Sequence, residues 1–134
     1  MEQCSICSAL QELQREQELL TCQHTQFRFI KRLKDYDCIP FTLSTANRRF
    51  HAFHKGKPTP FFSLQSIDEE TGCVVLTLLE PLDMEGNHAF LADQFFTLRK
   101  TDSCVTIVPC CFCSIEALPL ECVGRPLPIR EQKG

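Results

Sequence analysis

The chain has 134 residues, 43% of them hydrophobic, and a formal net charge of −3. A chain of this length fits one domain and can bury a core without covalent staples. No apolar run approaches the roughly 18 residues of a membrane span, and the charge is mildly negative. We therefore expect neither a membrane nor a nucleic acid as a partner.

The first predicted element is an amphipathic helix within an N-terminal segment at 1–23. Its stripe has one polar position, Gln17, and four apolar positions, which are Ile6, Leu10, Leu13 and Leu20. This periodicity is typical of a helix with one buried face. Because the stripe covers barely two heptads, we expect the helix to dock onto the rest of the domain. Apolar residues at 27–33 indicate either a further helical turn or a strand.

The next predicted elements are six short segments rich in β-branched and aromatic residues, at 41–45, 50–54, 61–67, 73–79, 95–100 and 104–108. Turn-forming stretches separate them, and the one at 101–103 predicts a hairpin. The run at 74–79 is apolar on both faces and predicts an interior strand. The pattern predicts an α+β fold, mostly β, with a compact antiparallel β-sandwich or barrel-like domain at 24–123. A flexible, proline-containing tail is expected at 124–134.

Charge is distributed unevenly along the chain. Residues 28–57 hold eight Lys and Arg against two Asp, whereas residues 58–98 hold seven Asp and Glu and no Lys or Arg. These segments are either two ordinary solvated faces or complementary surfaces that meet within a subunit or between subunits.

The most informative feature of the chain is its ten cysteines, five of which lie between 104 and 122. The first residues, M-E-Q-C-S-I, do not resemble a secretion signal, so we expect synthesis in a reducing cytoplasm. Two CxxC pairs, Cys4 with Cys7 and Cys110 with Cys113, match the spacing of zinc ligands. A zinc-stabilised cytosolic interaction module that uses both pairs is therefore an alternative function.

Covalent cross-linking is the other interpretation of the cysteines. If residues 110–117 form one extended strand, Cys111 and Cys113 face one side while Cys110 faces the other, which suits bonds within and between subunits. Cys22 follows the predicted helix, and Cys122 precedes the tail. The cross-link candidates are Cys4, Cys7, Cys22, Cys110, Cys111, Cys113 and Cys122. Cys73 and Cys104 begin predicted strands, and we expect them to be structural core cysteines.

No motif in the sequence indicates an enzyme. There is no glycine-rich phosphate loop, no paired-carboxylate motif and no recognisable environment for a nucleophilic cysteine. The four histidines are interpreted as solvated or core residues, since one sequence cannot place a histidine beside a cysteine. We expect no catalytic residue, no cofactor-binding or metal site, no cofactor and no small-molecule substrate.

Two blocks near the C-terminus carry a family resemblance. S-C-V-T-I at 103–107 and C-F-C-S-I at 111–115 are similar to the pattern C-I-T-V-D-L-x-C-F-C-A-I-x-C-L. This pattern is typical of the spore coat and exosporium morphogenetic proteins of endospore-forming bacteria, the family that includes CotY, CotZ and ExsY. Residues 40–43, 50–53, 66–68 and 73–76 resemble the family's middle section. The chain departs from the pattern at Val108, Pro109 and Ala117, where the family has Asp, Leu and Cys.

The resemblance implies a structural, self-assembling protein that is not an enzyme. Members of this family are made in the mother-cell cytoplasm and are deposited on the spore surface, in the outer coat, crust or exosporium. They form disulfide-cross-linked layers with themselves and with other spore coat proteins, and the family analogy implies a cyclic hexamer. We expect non-covalent contacts to register the subunits before oxidation locks them.

Overall fold

The computed structural model describes residues 4–26 and 38–128. One helix, α1 (Ser5–Gln26), is followed by seven strands, which are β1 (Phe41–Ser44), β2 (Ala52–His54), β3 (Lys57–Thr59), β4 (Phe61–Ile67), β5 (Val74–Leu82), β6 (Thr97–Ile107) and β7 (Ser114–Ala117). The predicted α+β fold, mostly β with an N-terminal helix, is confirmed. The predicted element at 27–33 and the end of the tail, 129–134, lie outside the described residues.

Five strands form one antiparallel sheet in the order β6-β5-β4-β1-β7, and β2 and β3 form a separate hairpin. Strand β5 lies between β4 and β6, as its two-sided apolar pattern predicts. The turn of the small hairpin has positive φ at both Lys55 and Gly56, which matches the right-handed twist of paired strands. The sequence predicted only a connection after residue 54. In the structure, the turn brings β3 back beside β2 as a second strand.

The hairpin predicted at 101–103 is wrong, because β6 runs without a break from Thr97 to Ile107. Thr77 pairs with Cys104 and Leu79 pairs with Lys100, so three residues of β6 bulge opposite Leu78 alone. The bulge satisfies its own polar groups. The Thr101 hydroxyl donates to the Leu78 carbonyl oxygen (2.8 Å) and accepts from the Ser103 amide (3.1 Å).

Residues 110–117 do not form the single extended strand on which the cross-linking interpretation depended. Pro109–Cys111 form a 3₁₀ turn, and only Ser114–Ala117 pair with β1 as β7. Proline suits the first position of such a turn because it has no backbone N–H to leave unpaired. The amides of Cys111 and Phe112 donate to the carbonyl oxygens of Val108 (3.1 Å) and Pro109 (3.0 Å). The alternating display of thiols on two faces of one strand therefore does not form.

Helix α1 packs on the sheet, as the short stripe predicts. Ile6, Leu10 and Leu13 are buried in one core cluster with sheet residues such as Phe62 and Leu76. The polar position of the stripe also contacts the sheet side: Gln17 Nε2 donates to the Leu64 carbonyl oxygen (3.0 Å), and Gln17 Oε1 accepts from the Ile39 amide (3.2 Å). These bonds fix the register of the helix against β4, which in turn places the start of α1.

The first residues of the predicted tail lie against the β5–β6 region. The Arg125 guanidinium stacks on the Phe96 ring, 4.0 Å from its centroid. The Leu127 side chain lies next to Gly86, where a Cβ atom would come within 3.1 Å of it. Gly86 has a φ of +87° in the turn after β5, a backbone conformation that favours glycine. Any larger residue at this position would also be in tight contact with Leu127.

Candidate functional site: a cysteine cluster at the start of the helix

Three thiols from opposite ends of the chain meet where α1 begins. Cys4 immediately precedes the helix and Cys7 lies one turn further on, so both side chains share a face. Cys110 reaches them from the 3₁₀ turn after β6. The Cys4 and Cys7 sulfur atoms are 3.1 Å apart, and the Sγ atoms of Cys4, Cys7 and Cys110 all lie within 4.8 Å of one another. We call these three residues the thiol cluster.

Protons are unevenly held within the thiol cluster. Hydrogen bonds from Cys110 and Cys7 lower the pKa of Cys4, because they stabilise its thiolate. The hydrogen bond with Cys4 raises the pKa of Cys7 to about 11, and burial adds to the rise. The same bond with Cys4 raises the pKa of Cys110. The cluster thus stabilises the thiolate of Cys4 more than those of Cys7 and Cys110, and full deprotonation needs a positive charge to offset the repulsion.

A groove of roughly 580 Å³ adjoins the thiol cluster. Cys7, Leu10 and Gln11 form its helical side, and Val108, Pro109 and Cys110 form another side. The turn between β4 and β5 closes it with three exposed acidic residues, which are Asp68, Glu69 and Glu70. Solvent and small cations therefore reach the cluster through a groove whose rim is negatively charged.

In the structure, Cys110 and Cys113, which form the second CxxC pair, do not lie at the same site. Only Cys110 joins Cys4 and Cys7; among the described residues, Cys111 and Cys113 do not belong to that group. Successive residues of a 3₁₀ turn point about a third of a revolution apart, so Cys110 and Cys111 diverge. Cys113 follows the turn, and its amide donates to the Ser44 carbonyl oxygen (2.8 Å) at the edge of β1.

The remaining cysteines differ in exposure. Cys104, predicted to be a core residue, is exposed, because it falls on the outward positions of β6 while Ile107 falls inward. Cys73, the other predicted core cysteine, is only half-buried and lies just before β5. Cys38 is buried, although no pattern in the sequence indicated a role for it.

Two cross-link candidates lie elsewhere than expected. Cys22 falls within α1, which continues to Gln26, so it does not follow the helix; its side chain lies outside the described residues. Cys122 is half-buried and packs against the small core cluster of Phe61, Leu79 and Leu98. Cys110, in the thiol cluster, is exposed. The three exposed cysteines outside that cluster, Cys104, Cys111 and Cys113, lie on β6 and on the connection to β7, and we call them the exposed thiols.

A polar cluster around the buried Glu80, which the sequence did not predict, joins β5 to β6 through the exposed Arg99. Glu80 is 5% exposed, and its carboxylate accepts hydrogen bonds from Arg99 Nη2 and from His88 Nδ1, the latter at 3.2 Å. Burial acts to raise the pKa of Glu80, but the hydrogen bonds from Arg99 and His88 outweigh it and lower the pKa. His88 Nε2 is buried without a partner among the described residues, and the His88 ring meets the Phe90 ring edge-on at 4.6 Å. Glu80 and Arg99 form a cross-strand pair, and the turn after β5 brings His88 back to them through its bridge with Leu82.

Two further histidines, His51 and His54, fit the expectation of solvated or core residues. His54 is buried, and its Nδ1 shares a hydrogen bond of 2.6 Å with the hydroxyl of Ser103 in the β6 bulge. His51 is exposed, with Nδ1 3.1 Å from the Arg49 carbonyl oxygen. His54 therefore ties the small hairpin to the main sheet.

One ion pair within the described chain joins the basic and acidic segments. Arg49 Nη1 lies 3.9 Å from Asp93 Oδ1; the Asp93 side chain is 93% exposed and that of Arg49 is 37% exposed. An exposed pair at this distance contributes little to stability. Basic residues at 28–34 fall outside the described residues, so complementarity between subunits stays a prediction.

Comparisons with protein-family models, curated proteins and solved structures find no match for the chain. Across residues 4–26 and 38–128, no helix has both the length and the apolar character needed to cross a membrane.

Proposed function

We propose that this protein is a structural subunit of the bacterial spore coat, crust or exosporium that self-assembles into a disulfide-cross-linked layer. The observation that carries the proposal is the exposure of Cys104, Cys111 and Cys113 on a domain whose fold does not require them. These exposed thiols belong to the same two blocks, 103–107 and 111–115, that resemble the spore coat family. The resemblance and the surface chemistry thus point to the same stretch of chain.

A packed core supports this assignment. Phe41, Phe62, Leu43 and Leu76 are fully buried in a cluster that joins the sheet to α1. Burial of large apolar side chains contributes roughly 1.5–3 kcal/mol each, so the domain has a source of stability other than disulfides. Exposed thiols on such a domain are available for bonds to neighbouring subunits.

Exposed apolar side chains supply the contacts that register neighbours before oxidation. Phe90 and Leu91 are 70% and 64% exposed, and Met84 is 53% exposed. All three lie on the connection between β5 and β6. Large apolar side chains exposed near one another in sequence are candidates for a protein interface. A disulfide forms only when the two Cα atoms come within about 7 Å, so non-covalent registration precedes it.

The alternative function, a zinc-stabilised module with both CxxC pairs as ligands, lacks its four-thiolate site in the described residues. Cys113 does not join Cys4, Cys7 and Cys110. A structural zinc site normally closes with four protein ligands.

Replacing Cys104, Cys111 and Cys113 together by Ser tests the proposal. Wild-type protein, oxidised after assembly, is expected to give a ladder of covalent oligomers on non-reducing gels that reductant removes. The triple variant is expected to lose most of the ladder and to keep its circular dichroism spectrum, because these side chains are exposed. Cys73→Ser is the matched control, since Cys73 is half-buried, and should retain the ladder. A full ladder from the triple variant would contradict the proposal.

A further inference from the structure

The geometry points to a metal site in the thiol cluster, in which Cys4, Cys7 and Cys110 bind one thiophilic ion such as Zn²⁺ through three thiolates. This inference does not depend on the proposed layer function. It differs from the site that CxxC spacing suggests, because Cys110 contributes and Cys113 does not.

The sulfur positions already approach coordination geometry. Zinc–sulfur bonds of about 2.3 Å at tetrahedral angles place neighbouring sulfur atoms about 3.8 Å apart. The three Sγ atoms lie within 4.8 Å of one another, and those of Cys4 and Cys7, which are 3.1 Å apart, need to separate only slightly. Two ligands stand on the first turn of one helix, and the third stands on a turn whose amides are satisfied locally.

The charges and dipoles around the thiol cluster favour a bound cation. Cys4 and Cys7 lie at the N-terminus of α1, where the helix dipole stabilises thiolates. Binding of a divalent ion displaces thiol protons, because the ion offsets the charge of the three thiolates. The acidic rim of Asp68, Glu69 and Glu70 attracts cations to the groove beside the cluster.

The coordination number also follows from the residues present. A tetrahedral ion held by three thiolates keeps a fourth position for water or another small ligand. Cys110 is exposed and the adjoining groove is open, so the ion and this ligand have a path of entry. Thiolates select soft or borderline ions, which excludes Mg²⁺ and Ca²⁺ as occupants.

Cobalt titration of the full chain tests the site. Metal-free protein is kept reduced with a phosphine, and Co²⁺ is added at neutral pH. We expect one Co²⁺ per chain, with tetrahedral bands in the visible region and thiolate charge-transfer absorption in the near ultraviolet whose intensity matches three thiolates. Zn²⁺ should displace the cobalt, and proton release should accompany binding. Intensity that matches one thiolate or none would overturn the inference.

Serine variants show which cysteines bind the metal ion and which do not. Outer-shell changes at metal sites cost roughly 10–100-fold in affinity, so loss of a ligand in Cys4→Ser, Cys7→Ser or Cys110→Ser should cost at least that. Cys111→Ser and Cys113→Ser are the matched controls and should bind as the wild type does. Cys110→Ser is decisive because its side chain is exposed and its loss leaves the core intact. Unchanged affinity in Cys110→Ser, or equal loss in Cys113→Ser, would refute the three-thiolate assignment whether or not the protein forms layers.

Discussion

Leu10→Ala is expected to lower the free energy of unfolding by about 2–5 kcal/mol, because it removes a fully buried side chain and leaves a cavity between helix and sheet. Leu10 also lines the groove beside the thiol cluster. The variant should therefore weaken Co²⁺ binding as well, since α1 carries Cys4 and Cys7. Urea denaturation under reductant measures the first effect, and cobalt titration measures the second.

Leu19→Ala is the matched control for Leu10→Ala. Leu19 lies on the same helix but is 59% exposed, so its truncation should change stability by no more than about 0.5 kcal/mol. If Leu10→Ala were no more destabilising than Leu19→Ala, the docking of α1 on the sheet would be wrong.

Glu80→Gln is expected to destabilise the domain at neutral pH by roughly 1–3 kcal/mol, because it weakens charge-assisted hydrogen bonds to a buried group. It should also change the pH dependence. Since Arg99 and His88 lower the pKa of Glu80 in the folded state, the stabilisation is present above the ordinary glutamate pKa of 4.5. It is lost as the pH falls through the lower folded-state pKa.

The expected result is a difference in stability between wild type and Glu80→Gln that is large at pH 7 and shrinks below about pH 4.5. Glu116→Gln on β7 is the control, since Glu116 is exposed. Urea denaturation at a series of pH values measures the difference. A difference that stays constant or grows on acidification would contradict the assigned role of Glu80.

The two proposals give the cysteines different roles according to their position in the fold. Cys4, Cys7 and Cys110 hold a metal ion within the subunit, and the exposed thiols remain for bonds to neighbours. A bound ion keeps its thiolates from joining the cross-linking chemistry, because ligated sulfur is a poorer partner in exchange than a free thiolate. This division limits the number of disulfide connectivities that ten cysteines otherwise allow.

The sequence was sufficient to predict those elements of the fold in which apolar residues recur at a regular spacing. The stripe on α1 and the apolar run of β5 reveal which faces are buried. The sequence misled at Thr101-Asp102-Ser103, where turn-forming residues instead make a bulge stabilised by the Thr101 hydroxyl. The sequence also did not indicate the 3₁₀ turn at Pro109–Cys111, which interrupts the extended conformation considered for 110–117.

The candidate site was predictable only in part. Proximity of Cys4 and Cys7 follows from their spacing at the start of a helix. Cys110 is 103 residues from Cys7 along the chain, and tertiary packing brings the two together. The Glu80, His88 and Arg99 cluster likewise depends on strand register and on the turn after β5. Neither contact leaves a periodic signal along the chain.

Electron microscopy of the reduced 134-residue chain is the direct test of self-assembly into a layer. Under the proposed function, the exposed apolar side chains register the subunits without disulfides, so we expect ordered oligomers or sheets before any oxidant is added. Oxidation should then raise their resistance to heat and denaturant without changing the lattice spacing. Chains that remain monomeric at every concentration and in both oxidation states would contradict the assignment as a self-assembling layer protein.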